Sequence, residues 1–251
     1  MKARYGLLGY PLGHSFSASY FADKFQREGI DAEYLNFEYA TVDEALPLLR
    51  QMPTLRGFNV TIPHKQAIMP HLNALSPAAQ AIGAVNVVSV VHDAAGGVRL
   101  LGDNSDVLGF CRSLAPLLHP AHHTHALVLG TGGASRAVVH GLKSLGLTPT
   151  YVSRSSKPGQ LTYDELTPAV MQQHKVIVNC SPVGMFPHTD EAPRLPYHLL
   201  TPSHLLYDLV YNPLTTRFMQ LGAERGCKVK NGLEMLHIQA EVAWQMWHAA
   251  H

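Results

Sequence analysis

The chain has 251 residues, which at about 150 per domain leaves one large or two small domains open. Hydrophobic residues at 46% and charged residues at 15% exclude a disordered chain, and a net charge of +1 without any basic block argues against nucleic-acid binding. The longest apolar stretches, such as 84–91, fall well short of the ~18 residues of a membrane span, and Gly and Pro in YGLLGYPLG interrupt any apolar leader core. Three cysteines without C-x-x-C spacing suggest neither a disulfide framework nor a thiolate metal site. The expectation is a soluble, cytoplasmic globular protein.

In chain order, apolar strand-like runs alternate with helix-period segments, the pattern of an α/β protein with parallel strands. The first set predicts strands at 4–10, 33–39, 56–61, 84–91 and 98–103, with helices at 16–28, 41–51 and 64–72. A helix from Ser105 to Leu118 leads into LHPAHHTHA, where His119, His122, His123 and His125 cluster. Zinc ligands ordinarily sit on rigid elements at i, i+4 spacing, whereas this group lies in a Pro-containing connector, so no metal is assigned. A second set follows with strands at 125–130, 148–154, 175–180, 204–209 and 227–231. Leu233, Leu236, Ala240, Ala243 and Trp247 then recur at helical spacing over 232–248. The natural boundary of two α/β domains falls near 103–124.

ALVLGTGGASRAV reads as a strand, a tight glycine turn and a helix start. A dinucleotide fold needs one glycine for the turn and a second where backbone approaches the pyrophosphate; Gly130 and Gly132 suit those roles, and Ser135 is small enough for close helix packing. About 20 residues on, an NAD site usually carries an acid for the ribose 2′-hydroxyl. This chain has none in YVSRSSKPG. Arg154 and Lys157, among Ser153, Ser155 and Ser156, suit a 2′-phosphate through charge-assisted hydrogen bonds, so the cofactor reads as NADP. A polar set gathers at strand ends of the first domain: Ser15 and Ser17 in GHSFS, Asn59, Thr61 and Lys65 in NVTIPHK, Asn86 in AVNVV, and Asp103, Asn104 and Asp106 in GDNSD. Singly, a serine could be a helix cap and a buried asparagine a satisfied core residue.

These motifs together resemble the shikimate dehydrogenase family. The resemblance runs from Tyr5 to about Trp247, through Gly9, Pro11, His14, Ser15 and Ser17; NVTIPHK; Gly83, Ala84 and Asn86; Gly102, Asn104, Asp106 and Gly109; GTGGASRA; Asn179, Ser181, Gly184 and Met185; Asp208, Tyr211, Asn212, Pro213 and Thr216; and Gly232, Leu233, Met235, Leu236 and Gln239. Departures are Ala18, Phe21, Val87, Ser153, Cys180 and Pro182. The family implies an α/β substrate-binding and catalytic domain (1–104 plus 232–251) and a Rossmann-type, doubly wound NADP-binding domain (105–231). It implies NADPH-dependent reduction of 3-dehydroshikimate to shikimate, on the route to aromatic amino acids, by a monomer or homodimer with no nucleic-acid or membrane partner. Lys65 and Asp106 become the catalytic pair. Ser15, Ser17, Asn59, Thr61, Asn86, Tyr211 and Gln239 become substrate ligands, and Gly130, Gly132, Gly133, Ala134, Ser153, Arg154, Ser155, Lys157, Ser181, Met185 and Gly232 cofactor ligands. Two rivals stay open: a dual quinate/shikimate dehydrogenase using NAD or NADP, separated by one substrate hydroxyl, and a non-catalytic NADP-binding regulator.

Overall fold

The computed structural model describes residues 2–13 and 16–250, and the chain divides into two compact units, Met1–Ser105 with Ala240–His251, and Asp106–Gln239. The first unit runs β1 (Ala3–Gly9), α1 (Phe16–Glu28), β2 (Ala32–Glu38), α2 (Val42–Arg50), β3 (Leu55–Val60), α3 (His64–Ala67), β4 (Ala74–Leu75), α4 (Pro77–Ile82), β5 (Val87–His92) and β6 (Val98–Asp103). The second runs α5 (Asp106–Leu114), β7 (His125–Leu129), α6 (Gly133–Ser144), β8 (Thr148–Ser153), β9 (Gln160–Thr162), α7 (Pro168–Gln173), β10 (Val176–Asn179), β11 (Leu205–Asp208), α8 (Arg217–Ala223) and β12 (Lys228–Lys230). The last helix, α9 (Leu233–Ala249), begins in the second unit and ends in the first.

The first sheet has the order β2-β1-β3-β5-β6-β4. It is mixed, which corrects the expectation of parallel strands throughout: β5 runs antiparallel to both β3 and β6. The reason is local. Only residues 93–97 join β5 to β6, too few for the crossover that parallel neighbours require. Asp93 Oδ1 accepts from the backbone N–H groups of Ala95 (2.9 Å) and Gly97 (2.7 Å), and Gly96 takes a φ of +83°, closing a hairpin. The expected helix 64–72 also stops short at Ala67, and a 3₁₀ turn at Met69–His71 follows because Pro70 has no N–H to continue the α ladder.

One consequence positions the polar residues. Asn59 of β3 pairs with Val87 of β5, and Val87 pairs with Asp103 of β6. The end of β3, the start of β5 and the end of β6 therefore meet at one end of the sheet. On one face of this unit the core is built from residues such as Leu8, Phe58, Val88 and Leu100. Another cluster joins Tyr5, Phe21, Phe25 and Val87 to Ala240, Ala243 and Trp247 of α9. Trp247 is fully buried, donates from Nε1 to the Val88 carbonyl at 3.1 Å, and lies where a Cβ on Gly57 would come within 2.3 Å of its ring. Lys24 of α1, also buried, binds Glu241 of α9 at 2.9 Å.

The second sheet has the order β12-β11-β10-β7-β8-β9 with every pairing parallel. Numbered within the unit this is 6-5-4-1-2-3, the doubly wound dinucleotide topology, whose strand order reverses between β7 and β10. Apolar clusters cover both faces, as a parallel sheet requires. His123 serves the fold here: its Nδ1 accepts from the His119 N–H at 2.9 Å, which leaves Nε2–H to donate to the Ser203 carbonyl at 3.2 Å. Among the described residues no helix is long and apolar enough to cross a membrane.

Candidate functional site

At the polar end of the first sheet, hydrogen-bond direction can be followed from residue to residue. Asn59, 6% exposed, donates from Nδ2 to the Asn86 carbonyl at 3.2 Å and accepts the Tyr34 hydroxyl proton on Oδ1 at 2.9 Å. Asn86, 3% exposed, donates from Nδ2 to Ser105 Oγ at 3.0 Å and accepts the Ser105 N–H on Oδ1 at 2.7 Å. Asn104 is buried as well and donates to the Ala84 carbonyl at 2.9 Å. Thr61 follows β3 and is tied back to β1 through its N–H on the Leu8 carbonyl at 2.8 Å. Lys65, half-buried on α3, is held to the same end by its own carbonyl, which accepts the Val85 N–H at 2.8 Å, one residue before Asn86.

Ser17 lies in the first turn of α1, near enough to the Tyr34 hydroxyl to act on it, which places it beside this network. Burial holds the Tyr34 phenol well above its ordinary range. Ser15 lies outside the described residues. The first unit thus brings together Asn59, Thr61, Lys65, Asn86 and Ser17. Asp106, Tyr211 and Gln239 belong to the second unit. Asp106 opens α5 directly after Ser105, Tyr211 is exposed in the loop after β11, and Gln239 is buried on α9 with its amide on the Leu236 carbonyl at 3.0 Å.

In the second unit Gly130 directly follows β7 with a φ of +97°, a left-handed conformation that favours glycine. Gly132 caps α6 without any side-chain hydrogen bond, and a Cβ built on Gly132 or Gly133 would meet nothing within 4 Å. An uncapped helix N-terminus beneath open space offers backbone N–H groups and a positive dipole end to a pyrophosphate. Ala134 continues this first turn, and Ser135 is buried with its Oγ on the Gly132 carbonyl at 2.7 Å, holding the turn closed. Beside it, at the end of β8, the Ser153 hydroxyl donates to the Ser155 carbonyl, and Arg154, Ser155 and Lys157 stand exposed. These residues fit a phosphorylated dinucleotide.

The loops beyond β10 and β11 hang on a buried acid that motif reading quotes without a role. Asp208, fully buried, accepts from Thr216 Oγ1 (2.7 Å), Asn179 Nδ2 (2.9 Å) and the Val210 N–H (3.0 Å). Burial outweighs these donors and raises its carboxyl to about 6. Asn179 Oδ1 in turn accepts both the N–H (3.1 Å) and the hydroxyl (2.7 Å) of Ser181, so the Ser181 proton is used within the loop. Met185 is exposed beyond it, after Gly184 at a φ of +87°. Gly232 has a packing reason to be glycine: a Cβ there would lie 2.1 Å from the Leu209 carbonyl oxygen. Tyr34 is an organising group that sequence reasoning missed, since it sits in a strand of mixed polarity where nothing marks it; Asp208, the one acid ending an otherwise apolar strand, is quoted in a motif but given no role.

Residues 7–88 match the family model of the shikimate dehydrogenase substrate binding domain. The chain is 34% identical to a shikimate dehydrogenase (NADP(+)) of Desulforamulus reducens, an alignment covering 96% of this chain and 88% of that one. A structure of shikimate 5-dehydrogenase from Thermus thermophilus, in complex with NADP(H) and shikimate, superposes with a TM-score of 0.82 at 34% identity, covering 98% of this chain and 93% of the other. The chorismate mutase/shikimate 5-dehydrogenase fusion protein from Clostridium acetobutylicum gives a TM-score of 0.85 at 32% identity, over 98% and 91%. With the doubly wound sheet, the open glycine turn and the asparagine network in place, the chain belongs to the shikimate dehydrogenase family.

Proposed function

We propose that this chain catalyses the NADP-linked interconversion of 3-dehydroshikimate and shikimate, a cytoplasmic step toward aromatic amino acids. The observation that carries the reading is the linked set Asn59–Asn86–Ser105, with Lys65 secured beside it through the Val85 N–H. A polyhydroxylated ring acid needs several donors and acceptors fixed in direction, and buried asparagines whose amides are already oriented supply them. In this reading residues 1–104 plus 232–251 bind substrate and 105–231 bind cofactor.

A nicotinamide dinucleotide held in the second unit would supply the hydride-transfer chemistry. Gly130, Gly132, Gly133 and Ala134 would hold its pyrophosphate on the α6 N-terminus, with Arg154, Lys157 and the serines 153 and 155 at the 2′-phosphate. Ser181, Met185 and Gly232 would border the rest of it. Lys65 places an ammonium at the reacting oxygen, donating a proton as negative charge develops there. Asp106, in the first turn of α5, is the other member of the proposed catalytic pair. Ser15 and Ser17 donate to the substrate carboxylate, and Asn59, Thr61, Asn86, Tyr211 and Gln239 bind the ring hydroxyls and carboxylate. The test is a spectrophotometric assay of purified protein with shikimate and quinate, each offered NADP and NAD. Turnover of shikimate with NADP is expected to dominate; preferred oxidation of quinate, or no turnover of either acid, would overturn the reading.

A further inference from the structure

Tyr34 touches two proposed substrate ligands, although it lies on β2, at the edge of the sheet and outside every motif above. Its hydroxyl meets Ser17 on one side and Asn59 on the other. Direction follows from the partners. Asn59 Nδ2 must face the Asn86 carbonyl, which can only accept, so Oδ1 faces Tyr34 and Tyr34 must donate to it. With its single proton committed, the Tyr34 oxygen can only accept from Ser17.

We propose that Tyr34 is a positioning residue of the substrate site, locking the Asn59 amide in one of its two flips and holding the Ser17 hydroxyl until substrate takes its proton. The proposal rests on the functional reading above for the identity of the substrate, but not for the amide lock. A second Nδ2–H on Asn59 is then presented in a fixed direction, and Ser17 Oγ is kept on one rotamer. Without the phenol oxygen, Oδ1 would lose its donor in a buried place, and the amide could turn so that oxygen faced where a donor is required. The ring itself is held independently, stacked on Phe21 at 4.7 Å and 11°, so Tyr34→Phe removes the hydroxyl without removing the packing.

The experiment combines kinetics with the side-chain amide of Asn59, followed by ¹⁵N NMR and assigned with Asn59→Asp. Tyr34→Phe should raise the KM for shikimate about 10-fold, as loss of one to two net hydrogen bonds would. It should change kcat by less than ~3-fold, leave the KM for NADP alone, and collapse the dispersed Asn59 amide pair of the ligand-free protein. Placed on an Asn59→Ala background, it should cost less than it does alone, because the share carried through Asn59 is already gone. An unchanged shikimate KM, equal losses for shikimate and NADP, or an unaltered Asn59 amide would overturn the proposal. Should the wild-type protein ignore shikimate, the functional reading fails, and the amide signal alone still decides the role of Tyr34. Circular-dichroism melting establishes that the variant is folded. Should Tyr34→Phe not fold, Ser17→Ala decides through the same amide: an unperturbed Asn59 pair supports a lock made by Tyr34, and collapse of the pair refutes it.

Discussion

Asp208→Asn isolates the effect of one buried charge. The wild-type carboxylate accepts from three uncharged donors, Thr216, Asn179 and the Val210 backbone, and its carboxyl is raised from the ordinary 3.8 to about 6 by burial. Between those values the folded chain keeps a proton that the unfolded chain releases. The stability contributed by Asp208 is therefore complete below pH 3.8 and is lost as pH rises through about 6. At about 1.36 kcal/mol per tenfold change in proton affinity, the whole loss is about 3 kcal/mol. The amide has nearly the same shape and no charge, so it removes this slope. It can still accept from Val210 and Asn179, while Thr216 must turn from donor to acceptor, a constant offset of about 1 kcal/mol. Thermal unfolding of both proteins from about pH 4.5 to 8 traverses roughly 2 of the 3 kcal/mol, so the variant's Tm relative to wild type should climb by about 4–8 °C across that range. His123, His174 and His204, all held below their ordinary values by burial, act equally in both proteins and cancel. A difference in Tm that stays flat with pH would refute the argument, since the ionised Asp208 would then be as well accommodated as in the unfolded chain.

Lys65→Met should lower kcat at least ~100-fold while changing the KM for shikimate far less, because the ammonium answers charge that develops only in the transition state. Steady-state kinetics on protein with an unchanged melting curve checks this, and near-native kcat would remove Lys65 from the chemistry. Arg154→Ala should raise the KM for NADP by about 10- to 150-fold and leave that for NAD nearly unchanged, the range of one charge-assisted contact to phosphate. Equal losses with both nucleotides would make Arg154 a structural residue.

The parts of the fold that were legible in sequence are those whose cause is local. β7, the glycine turn and α6 are contiguous, and their order alone specifies a helix N-terminus with open space above it. The short elements were not legible: β4 spans two residues and β9 three, too few for any periodicity to register. The antiparallel run of β5 was written in HDAAGGV, a hairpin turn of Asp and Gly, but a fold-wide expectation of parallel strands overrode it. Within the site, Asn59 and Asn86 stood out because buried amides are rare in apolar strands. Tyr34 did not, because an aromatic in a strand ordinarily reads as packing and its partners lie 17 and 25 positions away along the chain. Asp208 was visible as a letter in a motif; that its three donors would be Thr216, Asn179 and a backbone N–H required the ends of β10 and β11 to be side by side.

The path of α9 bears on the order in which the protein can be made. Residues 1–105 leave the ribosome first, yet their unit lacks Trp247, whose ring lies against Gly57, and Glu241, which shares buried Lys24 with Glu28 of the same early segment. The unit from Asp106 to Gln239 needs nothing later in the chain to complete its sheet. Synthesis therefore finishes the second unit before the first can close, and the growing chain must carry an open β-sheet for the whole time that some 130 residues are added. Protease challenge of chains arrested after residue 239 should spare the later unit and cut the earlier one; protection of both would show that the first sheet closes without its last helix.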